Sequence, residues 1–273
     1  MKAAPARLLI VAGSDSSGGA GIQADIKTAS ALGVYAMTAV TAVTVQDTTR
    51  VHAIHLIPPS IIGEQIACVL ADIGADAIKI GMLGSADAVD AVADALETHG
   101  SGVPVVLDPV LTSGSGQNLL DADAIKILKA RLFPLAMLVT PNIPEAESFT
   151  GLSIHDLGDG ERAAKILFAQ GARAVLIKDG HGRGENVLDS LFVSDTGESY
   201  HCESPRIDTH QTHGSGCTLA TAIAAGLSQR LSLAESFERA HFFVHAAILT
   251  SPGFGSGHGP LNHMHAIGEF KHP

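Results

Sequence analysis

Apolar residues along this chain fall mostly in short, nearly continuous runs rather than in strict alternation with polar ones. Residues 8–12, 36–45, 77–80, 103–107, 138–140 and 174–178 are such runs, rich in Val, Ile and Leu. A strand that is apolar at successive positions is covered on both faces, which suits a parallel sheet between two helical layers. Between the runs lie alanine-rich stretches of helical character at 22–32, 59–73, 85–98, 122–131, 144–150, 160–170, 217–230 and 233–249, each bounded by Gly, Pro or a capping residue. The alternation predicts an α/β fold with a doubly wound, mostly parallel sheet flanked by helices. Two further short strands near 188–193 and 199–202 follow the glycine-rich segment 180–184 and read as a hairpin excursion from that sheet. Neither an internal repeat nor a low-complexity linker divides the chain, so residues 1–273 are expected to form a single domain.

Composition narrows this picture. Hydrophobic residues make up 46% of the chain and aromatic ones only 4%, so the interior is expected to be packed with Ala, Val, Ile and Leu. A formal charge of -11 argues against a nucleic-acid partner, which needs clustered Lys and Arg. A small anionic substrate remains compatible with it, because a few backbone N–H groups and one lysine suffice to bind one. Cys68, Cys202 and Cys217 are too few and too far apart for a disulfide framework or a zinc site. The run at 8–12 ends in Gly13-Ser14-Asp15 without a signal-peptidase pattern, and no stretch reaches the roughly 18 apolar residues of a membrane span. A cytoplasmic protein without membrane attachment is expected.

In open α/β sheets ligands bind beyond the carboxyl ends of the strands, so the residues just after each run carry the chemistry. The most distinctive segment is Thr212-His213-Gly214-Ser215-Gly216-Cys217-Thr218, directly before a proline-free helix. Gly214 and Gly216 let backbone N–H groups turn toward one point, the helix dipole adds positive charge there, and Cys217 brings a titratable sulfur. By itself such a segment is equally an ordinary turn followed by a small core cysteine. A second glycine-rich loop, Gly13 to Gly21, follows the first strand, and it lacks the Gly-Lys-Ser/Thr of a Walker loop. Gln46 ends the long apolar strand with an amide able to read the edge of a heteroaromatic ring, or else simply opens a turn at Asp47. Asp108, stopped by Pro109, and Glu145, just inside a helix opened by Pro144, offer carboxylates to a divalent cation, although each also fits a capping role. Lys178 ends a buried strand before a glycine turn and can meet phosphate oxygens, or be solvated. His258, His263, His265 and His272 crowd the C-terminus, where packed or solvated caps are expected rather than a metal site.

Taken together, Ala12-Gly13-Ser14-Asp15-Ser16-Ser17-Gly18-Gly19-Ala20-Gly21-Ile22-Gln23-Ala24-Asp25, Lys79-Ile80-Gly81-Met82-Leu83, Asp108-Pro109-Val110, Thr140-Pro141-Asn142-Ile143-Pro144-Glu145-Ala146 and the segment at 212–218 closely resemble the hydroxymethylpyrimidine and phosphomethylpyrimidine kinases of thiamin biosynthesis, within the ribokinase-like superfamily. The resemblance runs in order through essentially the whole chain. It implies a ribokinase-like fold, ATP as donor, Mg²⁺, and two successive phosphorylations of 4-amino-5-hydroxymethyl-2-methylpyrimidine. Carried over by residue, Gln46 would recognise the pyrimidine with Met82 packed on it, among Gly13, Ala20, Asp25, Val110 and His213. Lys178 would stabilise the transferring phosphate, and Gly214, Ser215, Gly216 and Cys217 would form the anion hole, with Cys217 as base. Glu145 and Asp108, with Asn142 beside them, would hold the magnesium ion. A homodimer is also implied. Cys217 stands where most sugar kinases of the superfamily have aspartate, Asp47 and Ser215 where relatives often have Asn and Thr, and Asp179 where many have Gly. A pyridoxal or pyridoxine kinase on the same scaffold is the nearest alternative, and a non-catalytic pyrimidine-binding protein is one of another class.

Overall fold

The computed structural model describes residues 4–112, 116, 119–180 and 184–268. One nine-stranded sheet forms its centre: β1 (Arg7–Asp15), β2 (Tyr35–Gln46), β3 (Val51–Leu56), β4 (Ala77–Ile80), β5 (Val105–Leu107), β6 (Leu138–Val139), β7 (Ala174–Ile177), β8 (Asn186–Val193) and β9 (Ser199–Pro205). Their spatial order is β3-β2-β1-β4-β5-β6-β7-β8-β9. Strands β2, β1 and β4 to β7 run parallel, whereas β3, β8 and β9 join antiparallel at the two edges. The sheet is therefore mostly parallel, as its apolar runs require.

Helices α1 (Gly21–Ala31), α7 (Ser215–Ser228) and α8 (Leu233–Leu249) cover one face, and α2 (Pro59–Asp72), α3 (Ala86–His99), α4 (Ala122–Arg131), α5 (Ile143–Thr150) and α6 (Leu157–Ala169) the other. Each face has its own core. Alternate residues of β1 divide between them: Leu9 and Val11 enter one, Leu8 and Ile10 the other. Helix α7 is buried from Thr218 to Ser228 and packs over β1, β4 and β5, so its N-terminus opens at the middle of the sheet. None of the helices among the described residues is long and apolar enough to cross a membrane.

Three sequence expectations need correction. Strand β3 was not anticipated, because its His52 and His55 interrupt the apolar pattern and the strand lies on a solvated edge. The hairpin at 188–193 and 199–202 is no excursion: β8 pairs with β7 over Ala174–Ile177 and extends the sheet, while residues 181–183 of the preceding glycine-rich segment lie outside the described residues. Helix α6 begins at Leu157 rather than at 160, since Asp156 caps it by accepting from the Asp159 N–H in spite of Gly158 and Gly160.

Candidate active site

The parallel strands end on one side of the sheet, and a cavity of about 1050 Å³ opens there. This is at the upper limit of a pocket for one small ligand. The strand order gives it direction, with β2 toward one end, β8 and β9 toward the other, and β4 to β7 between.

At the β2 end, Gly13, Ala20, Thr44, Gln46, Met82, Val110 and His213 line the wall. Gly13 packs closely on the Met82 side chain: a Cβ there would stand 3.3 Å from its sulfur. The glycine loop after β1 and the turn before α7 interlock backbone against backbone. Gly214 adopts a left-handed φ of 84°, and a Cβ on it would overlap the Gly19 carbonyl, while one on Gly19 would overlap the His213 ring. Asp15, buried at the end of β1, ties these pieces together by accepting from the Ala20 N–H, the Ser17 N–H and hydroxyl, and the His213 ring at 2.8 Å.

In the middle, the 214–217 backbone faces Lys178 and Asp108: a Cβ on Gly216 would lie 3.2 Å from Lys178 Nζ. Lys178 donates to Asp108 Oδ1 at 2.8 Å, and Thr140 Oγ1 donates to the same oxygen at 3.2 Å. Burial opposes charge on Lys178, but Asp108 and Glu145 outweigh it and hold the ammonium above its ordinary pKa. Asp108 is likewise kept below the usual carboxylate range: burial pushes it up, and Lys178 and Lys79 more than offset that. Glu145 goes the other way. Burial, then the nearby Asp108 charge, raises it to about 7 against the pull of Lys178. Asn142 caps α5 and forms a capping box with Glu145, each side chain accepting from the other's backbone N–H at 2.8 and 2.9 Å. Asp108 and Glu145 line the cavity together, the charge of the first pushing the second toward its protonated form; carboxylates so placed are donors a Mg²⁺ ion shares with waters and phosphates, so they fit that ion. Among the described residues no cluster of three His, Cys, Asp or Glu side chains could by itself enclose a metal, and His272 lies outside those residues.

Cys217 lies in the first turn of α7 and lines the cavity. Desolvation pushes its thiol up to about 11, while the Lys79 charge and the Gly21 N–H favour the thiolate. Lys79 is fully buried beneath the floor, with its ammonium 2.8 Å from Asp25. Asp25 is the one candidate that the fold removes from the substrate wall. It has no solvent exposure and does not line the cavity, and it accepts from Lys79 and, at 2.6 Å, from the Thr221 hydroxyl. A carboxylate in the first turns of α1 points between the helix and the sheet, where only a partnered charge is tolerated. Sequence reasoning passed over Asp15, Thr44 and Lys79. Their signals were a carboxylate leading into a glycine loop and a single lysine inside an apolar strand.

At the far end the cavity runs between β8, β9, α7 and α8, along Val187, Ile207, Leu219, Val244 and Ile248. Asp189 accepts from His241 Nδ1 at 2.9 Å, and among the described residues Nε2 of this buried ring has no partner.

A glycine turn at a helix N-terminus, a buried lysine and two carboxylates, gathered beyond the carboxyl ends of a mostly parallel sheet, mark an α/β protein of the ribokinase-like class. Residues 15–262 match the family described as phosphomethylpyrimidine kinase. The chain is 47% identical over 265 residues to the thiamine biosynthesis bifunctional protein ThiED of Geobacter sulfurreducens, covering 97% of itself and 53% of that relative, so it spans about half the relative's length. It is 43% identical over 259 residues to the hydroxymethylpyrimidine/phosphomethylpyrimidine kinase of Bacillus subtilis, covering 94% of each chain. Among solved structures, the ADP complex of Bacillus subtilis pyridoxal kinase superposes with a TM-score of 0.86 at 35% identity, covering 95% of this chain and 98% of that one. The chain belongs to the phosphomethylpyrimidine kinase family.

Proposed function

We propose that this protein transfers the γ-phosphoryl group of ATP to the hydroxymethyl group of 4-amino-5-hydroxymethyl-2-methylpyrimidine and then phosphorylates the monophosphate to the diphosphate, as a single domain serving thiamin biosynthesis. The observation that carries this reading is the meeting of Gly216, Lys178 and Asp108 at one point between the Gln46–Met82 recess and the apolar arm. In this reading the pyrimidine occupies the recess, with Gln46 at its polar edge and Met82 on its face, and its hydroxymethyl group is directed at Cys217. ATP occupies the arm, its phosphates toward the 214–217 turn.

Phosphoryl transfer asks mainly for alignment and for stabilisation of charge on the transferred group. Backbone N–H groups of Gly214, Gly216 and Cys217 and the Lys178 ammonium supply that charge without reorganising during the step, while the Ser215 N–H, held by the Thr212 carbonyl, fixes the turn. Asp108 and Glu145, with Asn142 beside them, would hold Mg²⁺, which when bound neutralises the phosphate oxygens. Glu145, raised by burial to about 7, would hold such an ion in its ionised form. Cys217 is the proton acceptor for the hydroxyl. For the second transfer the acceptor oxygen belongs to a phosphate and no base is required of it.

A homodimer is part of this proposal. Val43 and Val45 on β2, Leu56 on β3 and Ile61 on α2 are exposed apolar side chains on the elements at one edge of the sheet, and apolar side chains exposed in this way favour an interaction face. A cytoplasmic location accords with three free cysteines. Pyridoxal kinase activity is the second reading, favoured by the likeness to the Bacillus subtilis pyridoxal kinase structure. Incubating the purified protein with Mg·ATP and the pyrimidine, and following products by mass spectrometry, tests the proposal. Monophosphate followed by diphosphate is expected; monophosphate alone would remove the second step, and no product would remove the pyrimidine assignment.

A further inference from the structure

The hydrogen atoms around Gln46 can be assigned by elimination. Asp15 is a buried carboxylate whose oxygens accept from Ser17, Ala20 and His213. Burial would raise its pKa, but these donors, His213 first, keep it below the ordinary value, so it has no hydrogen to give. The contact of 2.8 Å between Asp15 Oδ2 and His213 Nε2 therefore requires the proton on Nε2. That same nitrogen stands 3.3 Å from a terminal amide atom of Gln46. An N–H cannot face an N–H across a hydrogen bond, so the Gln46 atom there is the carbonyl oxygen, the two ends of an amide being told apart only by their partners.

The rest of the network agrees. The other amide atom lies 3.3 Å from Thr44 Oγ1, and Thr44 already gives its one hydrogen to the Ser14 carbonyl at 2.9 Å. A hydroxyl with its hydrogen engaged can only accept, and the amide NH₂ supplies the donor. With this orientation the Thr44 hydrogen goes only to the Ser14 carbonyl, and the single Nε2 hydrogen of His213, directed at Asp15 at 2.8 Å, meets the Gln46 oxygen as a longer second acceptor at 3.3 Å. With the opposite one, two donors collide at His213 and the Thr44 hydrogen is claimed twice.

We propose that Asp15 and His213 are positioning residues for acceptor recognition: together they lock the Gln46 amide with its oxygen toward His213 and its NH₂ toward Thr44, so the acceptor ring always meets the same remaining lone pair and N–H. This rests on the reading of Gln46 as the ring-binding residue. An aminopyrimidine edge carries a donor amine beside an acceptor ring nitrogen and can meet one lone pair and one N–H. Pyridoxal, with its ring nitrogen, phenolic oxygen and aldehyde, is richer in acceptors and matches that pair less well.

The test combines ring-nitrogen NMR of the full-length protein with calorimetric binding and steady-state kinetics of the pyrimidine and pyridoxal. In the spectrum, with the His213 signal assigned by its loss in His213→Gln, the proton is expected on Nε2; a bare Nε2 would overturn the assignment. Asp15→Asn is expected to weaken pyrimidine binding about tenfold, the equivalent of one mispaired buried hydrogen bond. Its loss is expected to fall more heavily on the KM for the pyrimidine than on kcat, and its preference for pyrimidine over pyridoxal is expected to narrow. In a Gln46→Ala background the same substitution is expected to cost nothing further, because it acts through Gln46. Additive losses would overturn the proposal in favour of a purely structural role for the loop. Should Asp15→Asn fold poorly, His213→Gln, which keeps a donor nitrogen near the place of Nε2, is expected to bind better than His213→Leu; equal losses would contradict the proposal. Wild-type protein that ignores the pyrimidine would sink the proposed function instead, and the spectrum and the coupling measured with pyridoxal would still decide this inference.

Discussion

A thiol pushed up to about 11 is overwhelmingly neutral at pH 7, so the base assigned to Cys217 is a minor species in the free protein. If the first transfer needs the thiolate, kcat should climb with pH between 7 and 10 while Lys178 stays charged, its pKa being raised above the ordinary lysine value. Cys217→Ser should lose both that climb and most of the rate, with pyrimidine affinity nearly unchanged; a flat wild-type profile in rapid-quench measurements would remove the base role. Glu145 gives a second expectation at this scale. Its carboxyl has an ordinary pKa of 4.5 and is raised to about 7 on folding. Below pH 4.5 both states are protonated and nothing is lost. As pH rises past 4.5 the unfolded chain ionises first, and above about 7 the folded protein bears a penalty on the order of 3 kcal/mol. Glu145→Gln keeps the acceptor for the Asn142 N–H and should stabilise the metal-free protein at pH 8 but hardly at pH 5, while sharply lowering Mg²⁺-dependent turnover. Urea unfolding at the two pH values reads this directly.

At the scale of elements, the centre of the site depends on how α7 begins. Its cap, Gly214, is left-handed, and no side chain fits between it and the Gly19 carbonyl. Gly214→Ala should therefore lower stability by roughly 1–3 kcal/mol from backbone strain alone, and more from the displaced Gly19 loop, with loss of ATP-dependent turnover. Retained turnover and an unchanged melting temperature would show that the two loops do not need to interlock. The glycines of this turn were legible in the sequence, and so were the parallel strands, because burial on both faces leaves an unbroken apolar signature. The edge strand β3 was not, since half-solvated strands with histidines lack that signature, and the start of α6 was hidden by glycines in its first turn that a single aspartate cap overrides. Asp25 was assigned to the substrate wall, and its partner Lys79 passed over, for a related reason. Residue type announces a charge, but only the packing of α1 on the sheet decides whether that charge faces ligand or core.

Across the whole molecule, the segment after α8 returns to brace the site. His258 N–H donates to the Thr48 carbonyl, His213 N–H to the Gly259 carbonyl, and buried His263 lies 3.0 Å from Thr218 Oγ1, beside Cys217. The C-terminal histidines were expected to be caps rather than metal ligands, and His263 is a packed one. Burial, with smaller repulsion from Lys27 and His265, pushes it down to about 4. Since the unfolded chain takes up this proton near pH 6.5, stability should drain away as pH falls from 6.5 toward 4, by up to about 3 kcal/mol from this ring. His263→Gln, which does not titrate, should show a shallower loss over that window in parallel unfolding curves; identical slopes would contradict the assignment. How distant loops and the C-terminal segment assemble around one point was beyond sequence pattern alone, because it is settled by close backbone contacts between elements some 200 residues apart, such as the Asp15–His213 hydrogen bond. The account stands most directly on which ring the assembled recess prefers. The decisive measurement is a competition in which equal concentrations of hydroxymethylpyrimidine and pyridoxal share limiting Mg·ATP and the initial products are quantified by mass spectrometry. Pyrimidine monophosphate in clear excess, followed by diphosphate, is the expected result, and a predominance of pyridoxal phosphate would contradict it.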